Sequence, residues 1–211
     1  TEKNSRPNLK KLQGAKTRKK LYESAQKLFT KKDFAAVSVE DITRTAGVTK
    51  GTFYVHFESK DALIASFISD YTAGLDLDYK AFLDSLPAGL SASGRIIALT
   101  GKIADMLTDT VGYEMMRTVY QIQLTRAVDM EKVMGYDRSL YTMFSELLEQ
   151  GIRQGEFKTD MPIDVLSRHF VMAIRGICYE WCIRYPDFDL KEQALSHLDL
   201  LLQGILAVRP S

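Results

Sequence analysis

The chain has 211 residues, a net charge of +1, 45% apolar and 26% charged residues, and two cysteines. These proportions are ordinary for a globular protein and exclude a collagen-like fibre, a disordered tail and a disulfide scaffold. There is no run of about 18 apolar residues and no apolar signal segment, so neither a membrane span nor export is expected. Sparse cysteine then fits a reducing, cytoplasmic setting.

The small net charge hides an asymmetry. Residues 1–60 hold 14 Lys+Arg and 6 Asp+Glu, a net +8, and residues 61–211 hold 14 and 21, a net −7. A basic head on an acidic body suggests a polyanionic partner for the head. A merely solubilising basic tail is the alternative.

Apolar residues recur at three- and four-residue spacing along nearly the whole chain, with no alternating strand pattern. The expected class is therefore all-α, with nine to ten helices. The first runs from about Ala15 to Lys32, with Leu21, Ala25, Leu28 and Phe29 on one face. A short helix from Val39 to Ala46 follows, opened by the Ser38/Asp41 pair as a capping box and broken by Gly47. Thr49 caps a second short helix ending near Phe57, and Ser59 caps a longer one reaching about Ser85. Pro87, Gly89 and Gly94 mark a turn before a helix over 92–109. Gly112 and Gly135 bracket one or two more. Residues 136–154 read as a helix stopped by Gly155. Pro162 opens a long helix that Pro186 ends, and a last helix covers 190–207. Residues 1–60 form the expected head with its basic arm, and 61–211 the helical body.

Within the head, SVEDITRTAGVTKGTFYVHF has the length and punctuation of a helix-turn-helix. At about 100° per residue, Val39, Ile42 and Ala46 share the core face of the first helix. Phe53 and Phe57 share that of the second. Gly51, Thr52 and Val55 then lie opposite the phenylalanines, with Tyr54 and His56 on the flanks. Gly51 lets the backbone approach base edges, while Thr52 and Val55 suit contact with bases or thymine methyls. Lys50 sits at a helix N-terminus that favours phosphate. Tyr54, His56 and Lys60 are placed to hold phosphates, which fixes register without reading sequence.

Residues 29–63 resemble the N-terminal signature of the TetR family of bacterial transcriptional regulators. The G-V-T-K-G-T-F-Y-x-H-F-x-x-K core from Gly47 to Lys60 is its most specific part. The resemblance implies a head that binds DNA as a homodimer and a body that binds a small molecule. It implies DNA contacts at Thr49, Lys50, Gly51, Thr52, Tyr54, His56 and Lys60, with Ser38 and Arg44 as further candidates. Two positions depart from the pattern. Asp33 stands where glycine is usual, and Val55 where an aromatic or polar residue is common. The basic arm before Ala15 is either a DNA-reaching extension or a disordered tail.

The eight methionines all lie beyond residue 105, seven of them between Met106 and Met161. Adaptable thioethers suit an apolar effector pocket as well as ordinary packing. Met106, Met116, Arg117, Tyr120 and Met143 are the candidate ligand-binding residues. Glu114 would favour a cation there and Arg117 a carboxylate. Phe170, Ala173, Gly176, Ile177 and Trp181 form one apolar stripe; Leu195, Leu198, Leu202 and Ile205 form another. Two such helices from each of two subunits make a four-helix dimer seam. The alternative is that both stripes cover their own subunit's core.

Cys178 and Cys182 lie on one helix face, one turn apart, where a disulfide is disfavoured. They are read as packed thiols, with redox sensing left open. No H-E-x-x-H, P-loop, G-x-S-x-G or Rossmann glycine run occurs, so no catalytic residue, metal or cofactor is assigned. The expected function is a ligand-responsive regulator, most simply a repressor released from a palindromic operator by a small molecule. An all-helical carrier or enzyme without DNA binding is the other class.

Overall fold

The computed structural model describes residues 6–32, 36–126 and 131–207. Among them ten α-helical segments and one π-helical turn are found; strand-like pairing is limited to a single bridge between Phe157 and Leu206. The chain divides into two compact units, Thr1–Asp70 with Arg117–Met130, and Tyr71–Met116 with Glu131–Ser211. The division falls inside a helix, ten residues beyond the head boundary placed by charge and motif.

The first unit is built on α1 (Arg6–Phe29), α2 (Val39–Ala46), α3 (Lys50–His56) and the start of α4 (Lys60–Ser85). α1 begins nine residues before the expected Ala15, so the basic arm from Arg6 is helical; residues 1–5 and Asp33 lie outside the described residues. α1 packs on α2, and α2 on α3. Leu21, Ala25, Phe29, Ile42, Phe53, Phe57, Leu63 and Ile64 are all buried there. The expected core face of α2 is rotated. Ile42 is buried, but its neighbour there is Thr43, while Val39 and Ala46 are only half-buried. The Thr43 hydroxyl donates to the Glu40 carbonyl at 3.1 Å, which makes its burial tolerable.

The second unit packs α5 (Ala92–Asp105) against α8 (Ser139–Arg153) and α10 (Leu190–Gln203), and α9 (Ile163–Arg184) against α8 and α10. Ile96, Leu99, Phe144, Leu148, Phe170, Val171 and Leu198 fill the core, with the Phe144 and Phe170 rings 6.1 Å apart. Gly151 is required by close approach: a Cβ there would stand 2.1 Å from Phe157 Cδ2. The start of α6 (Tyr113–Thr125) and the single turn α7 (Glu131–Met134) also belong here, while α6 from Arg117 onward belongs to the first unit.

Three further boundaries, in the second unit, differ from the sequence expectation. The helix expected over 92–109 ends as α at Asp105 and continues as a π-helical turn, Met106–Val111. There Thr108 donates its hydroxyl back to the Ala104 carbonyl, and the Gly112 amide reaches Leu107 O at 3.0 Å, an i→i−5 bond. α8 starts at Ser139 because Arg138 is extended at the cap position. α10 stops at Gln203 because the backbone beyond it pairs elsewhere, Ala207 N with Glu156 O and Lys158 N with Ile205 O.

Candidate nucleic-acid interface

Both short helices of the head are fixed by their caps. Ser38 Oγ accepts from the Asp41 amide at 3.1 Å, and the Asp41 carboxylate accepts in return from the Ser38 amide at 3.2 Å and from its hydroxyl at 2.9 Å. Those backbone and hydroxyl bonds hold the Asp41 carboxyl below its ordinary range. Gly47 ends α2 with a φ of 66°, the left-handed conformation that glycine takes without strain. Thr49 then caps α3, accepting from the Thr52 amide at 3.1 Å. A rigid turn of this kind sets the angle at which α3 leaves α2.

α3 buries Phe53 and Phe57 and turns the opposite face outward. Val55 is 81% exposed and Tyr54 55%. Gly51 is exposed and Thr52 half-buried, its hydroxyl 2.9 Å from that of Thr49. Lys50 at the helix start pairs with Glu40, and Arg44 with Asp41; all four are partly exposed. Exchange of such solvated pairs for phosphate costs little, because surface ion pairs contribute only ~0–1 kcal/mol.

Lys60, His56 and Ser38 are held by contacts within the fold. Lys60 Nζ donates to the Val37 carbonyl at 2.9 Å, tying the start of α4 to the approach to α2, and burial lowers its pKa. His56 stands over α1: a Cβ on Gly14 would lie 3.7 Å from its Cε1. Ser38 is similarly committed, accepting and donating within its cap. Sequence reasoning did not single out the group that joins α1 to α4. Arg18 and Tyr22 both reach Asp70 Oδ2, at 3.1 and 2.9 Å, and Tyr22 shares a 2.9 Å bond with Ser66. Its signal, R-x-x-x-Y at helical spacing, has no distinguishing composition.

The body residues fare differently. Met143 is buried in the core, Met106 sits in the π-helical turn, Met116 is half-buried, and Arg117 and Tyr120 belong to the first unit. None of these five lines the described cleft of the second unit, which lies where that turn and the first residue of α6 meet the α9–α10 connection. The expected dimer stripes divide between the protomer's interior and its surface. Phe170, Trp181, Leu198 and Leu202 are buried in their own protomer, and Ala173, Ile177, Leu195 and Ile205 are half-buried. Only Gly176 of the nine is exposed. The outward stripe is Met172, Gly176, Tyr179 and Ile183 on α9, with Leu200 on α10, and these large side chains are 38–63% exposed. Periodicity identified both helices as amphipathic but did not tell which stripe each element buries. Burial pushes the Cys178 thiol up to about 12 and the Cys182 thiol to about 11, the opposite of a redox-active cysteine. Among the described residues no group of three or more His, Cys, Asp and Glu could hold a metal ion, and no helix is long and apolar enough to cross a membrane.

A three-helix head with an outward α3, on a chain otherwise helical, defines a helix-turn-helix regulator. Residues 21–67 match the family described as bacterial regulatory proteins, tetR family. The chain is 24% identical over 196 residues to the HTH-type transcriptional repressor KstR2 of Mycolicibacterium smegmatis, covering 92% of each. It is 25% identical to the HTH-type transcriptional regulator AcrR of Shigella flexneri, covering 93% of this chain and 92% of that one. The fold is similar to that of Bacillus subtilis FadR in complex with stearoyl-CoA, with a TM-score of 0.74 at 19% identity over 88% of this chain and 98% of that one. The head, at residues 21–67, is thus that of the TetR family of bacterial regulatory proteins.

Proposed function

We propose that the protein is a cytoplasmic repressor that binds a palindromic operator as a homodimer and is released by a small molecule. The observation that carries this is the outward face of α3: Gly51, Thr52 and Val55 clear of the core, with Lys50 at the helix start and Tyr54 alongside. Such a face suits major-groove readout by Thr52 and Val55, with Thr49, Lys50, Tyr54, His56 and Arg44 toward phosphates. Lys60 and Ser38 act chiefly by positioning, since each already serves a structural bond. The function is binding and not catalysis.

The body would receive the effector. A neighbour of the same fold is described with stearoyl-CoA bound. In this chain, the net −7 of residues 61–211 opposes a multiply charged anion, although salt weakens that field over about 8–10 Å. An apolar or cationic effector fits better. Release is then a coupling free energy, reciprocal between effector and operator.

Selection from a random DNA pool tests the reading. An enriched two-fold site is expected. Val55→Ala should change base preference within it, whereas Lys50→Ala should weaken all sequences and reduce the salt slope by about one. An unenriched pool at moderate salt overturns the proposal.

A further inference from the structure

The second unit contains a cleft of about 380 Å³, within the size range of small-molecule sites. Its walls include Thr108, Tyr113, Trp181, Tyr185, Phe188 and Asp189. The aromatic residues come from two separate parts of the chain. Tyr113 and Tyr185 stack with centroids 4.1 Å apart and planes 15° from parallel. Trp181 stands edge-on to both, at 5.8 Å and 90° from Tyr113 and at 5.5 Å and 89° from Tyr185. Trp181 is buried, while Tyr185 and Phe188 remain accessible to solvent.

Asp189 is the charged residue among those lining the cleft. Asp189 caps α10, accepting from the Glu192 amide at 2.8 Å, so the positive end of that helix is already met by a carboxylate. The Thr108 hydroxyl lies 3.2 Å from the Asp109 carboxylate. Lys191 is bonded to Asp105 at 2.8 Å, and the fields of Asp109 and Asp189 also act on it. Three carboxylates against one lysine leave this neighbourhood net negative. Thr108 also sits in the π-helical turn, a local geometry frequent at binding sites.

Aromatic faces carry negative potential and attract cations, most strongly from tryptophan and tyrosine. Neighbouring carboxylates add to that attraction and repel an anion. We propose that this cleft binds a monovalent organic cation bearing a quaternary ammonium or a comparable delocalised charge on an apolar body. The proposal rests on the effector reading above only for its consequence on DNA; occupancy of the cleft is measured without DNA.

Trp181 is the chain's single tryptophan, so its emission reports from the cleft wall. The full chain is titrated with benzyltrimethylammonium, neutral N,N-dimethylbenzamide and anionic phenylmethanesulfonate, which are similar in size. The cation should give a saturable change, with the neutral probe at least about tenfold weaker. The anion should give none. Asp189→Asn keeps a good helix cap and should weaken the cation about tenfold while leaving the neutral probe within about twofold. Tyr185→Leu, at an exposed position, should also weaken the cation, and melting by circular dichroism confirms that both variants fold. An absent response, equal affinity for cation and neutral probe, or full affinity in both folded variants overturns the proposal. If the cation binds but operator affinity is unchanged, the cleft stands and the effector reading fails.

Discussion

Arg138 grips Asp76 with two nitrogens beneath the surface of the second unit, Nη2 to Oδ1 at 2.6 Å and Nε to Oδ2 at 2.9 Å. Their side chains are only 17% and 7% exposed. This pair joins α4 to the start of α8, and it explains why Arg138 turns inward at the cap position instead of extending the helix. Tyr79 lies in the same environment, its hydroxyl pushed above the ordinary range chiefly by burial.

Removing one partner strands a buried charge. Arg138→Ala or Asp76→Ala should therefore cost about 3–5 kcal/mol of stability. Replacing both with apolar residues of similar volume should cost less than either single change. Urea unfolding of the three variants checks this. Additive losses in the double variant would show that the two groups do not act as a pair.

Gly47 offers a cleaner backbone test. Its φ is 66°, and a Cβ there would meet no atom within 4 Å. Gly47→Ala should thus cost about 1–2 kcal/mol from conformation alone, and Gly47→Asn less. Thermal melting reads the cost. Operator affinity should fall further for alanine if the turn sets the angle of α3.

That turn was legible in sequence because every signal there is local. Ser38 and Asp41, Gly47 and Thr49 act through bonds three or four residues long, and Phe53 with Phe57 declares a face without reference to anything distant. The body was not legible in the same way. Trp181 and Leu198 lie on strong apolar stripes, yet periodicity is silent on whether a stripe meets its own protomer or a partner. The π-helical turn depends on Thr108 bonding backward, and the cleft on Tyr113 meeting Tyr185 from 72 positions away in sequence. α4 carries no compositional break at Asp70, where the first unit's opening segment ends, so charge could not have marked that position.

The start of α5 should be acid-sensitive. Burial raises the Glu156 carboxyl, but this is outweighed by bonds from the Ser93 hydroxyl and from the Ser93 and Ala92 amides, at 3.0 and 2.8 Å, and the net shift is downward. A lowered carboxyl contributes stability above its unfolded value, near 4.5, and loses it as pH falls through the folded value. Glu156→Gln should therefore melt below the parent at pH 7, and the gap should close toward pH 3. A gap that is constant with pH would mean that the charge contributes nothing.

The outward stripe of α9 makes the strongest prediction about assembly. Met172 and Ile183 are 54% and 59% exposed, and Leu200 on α10 is 63% exposed. Exposed large apolar side chains at helical spacing along α9 mark an interaction surface. At Gly176, between them, a Cβ would meet no atom within 4 Å of the protomer. A larger residue there leaves the protomer's packing intact, so any loss of self-association must come from a partner. Gly176→Leu and Met172→Glu with Ile183→Glu should shift the protein from dimer to monomer in sedimentation velocity at micromolar concentration. Leu198→Ala is the contrast. Its side chain is buried in its own protomer, so it should cost about 2–5 kcal/mol of folding stability at any protein concentration. The monomeric variants should retain the far-ultraviolet helical signal. They should also bind a half-site as well as a full operator, because one head would then act alone. A wild-type monomer would mean that there is no seam, and a Met172→Glu, Ile183→Glu protein that stays dimeric would place it elsewhere.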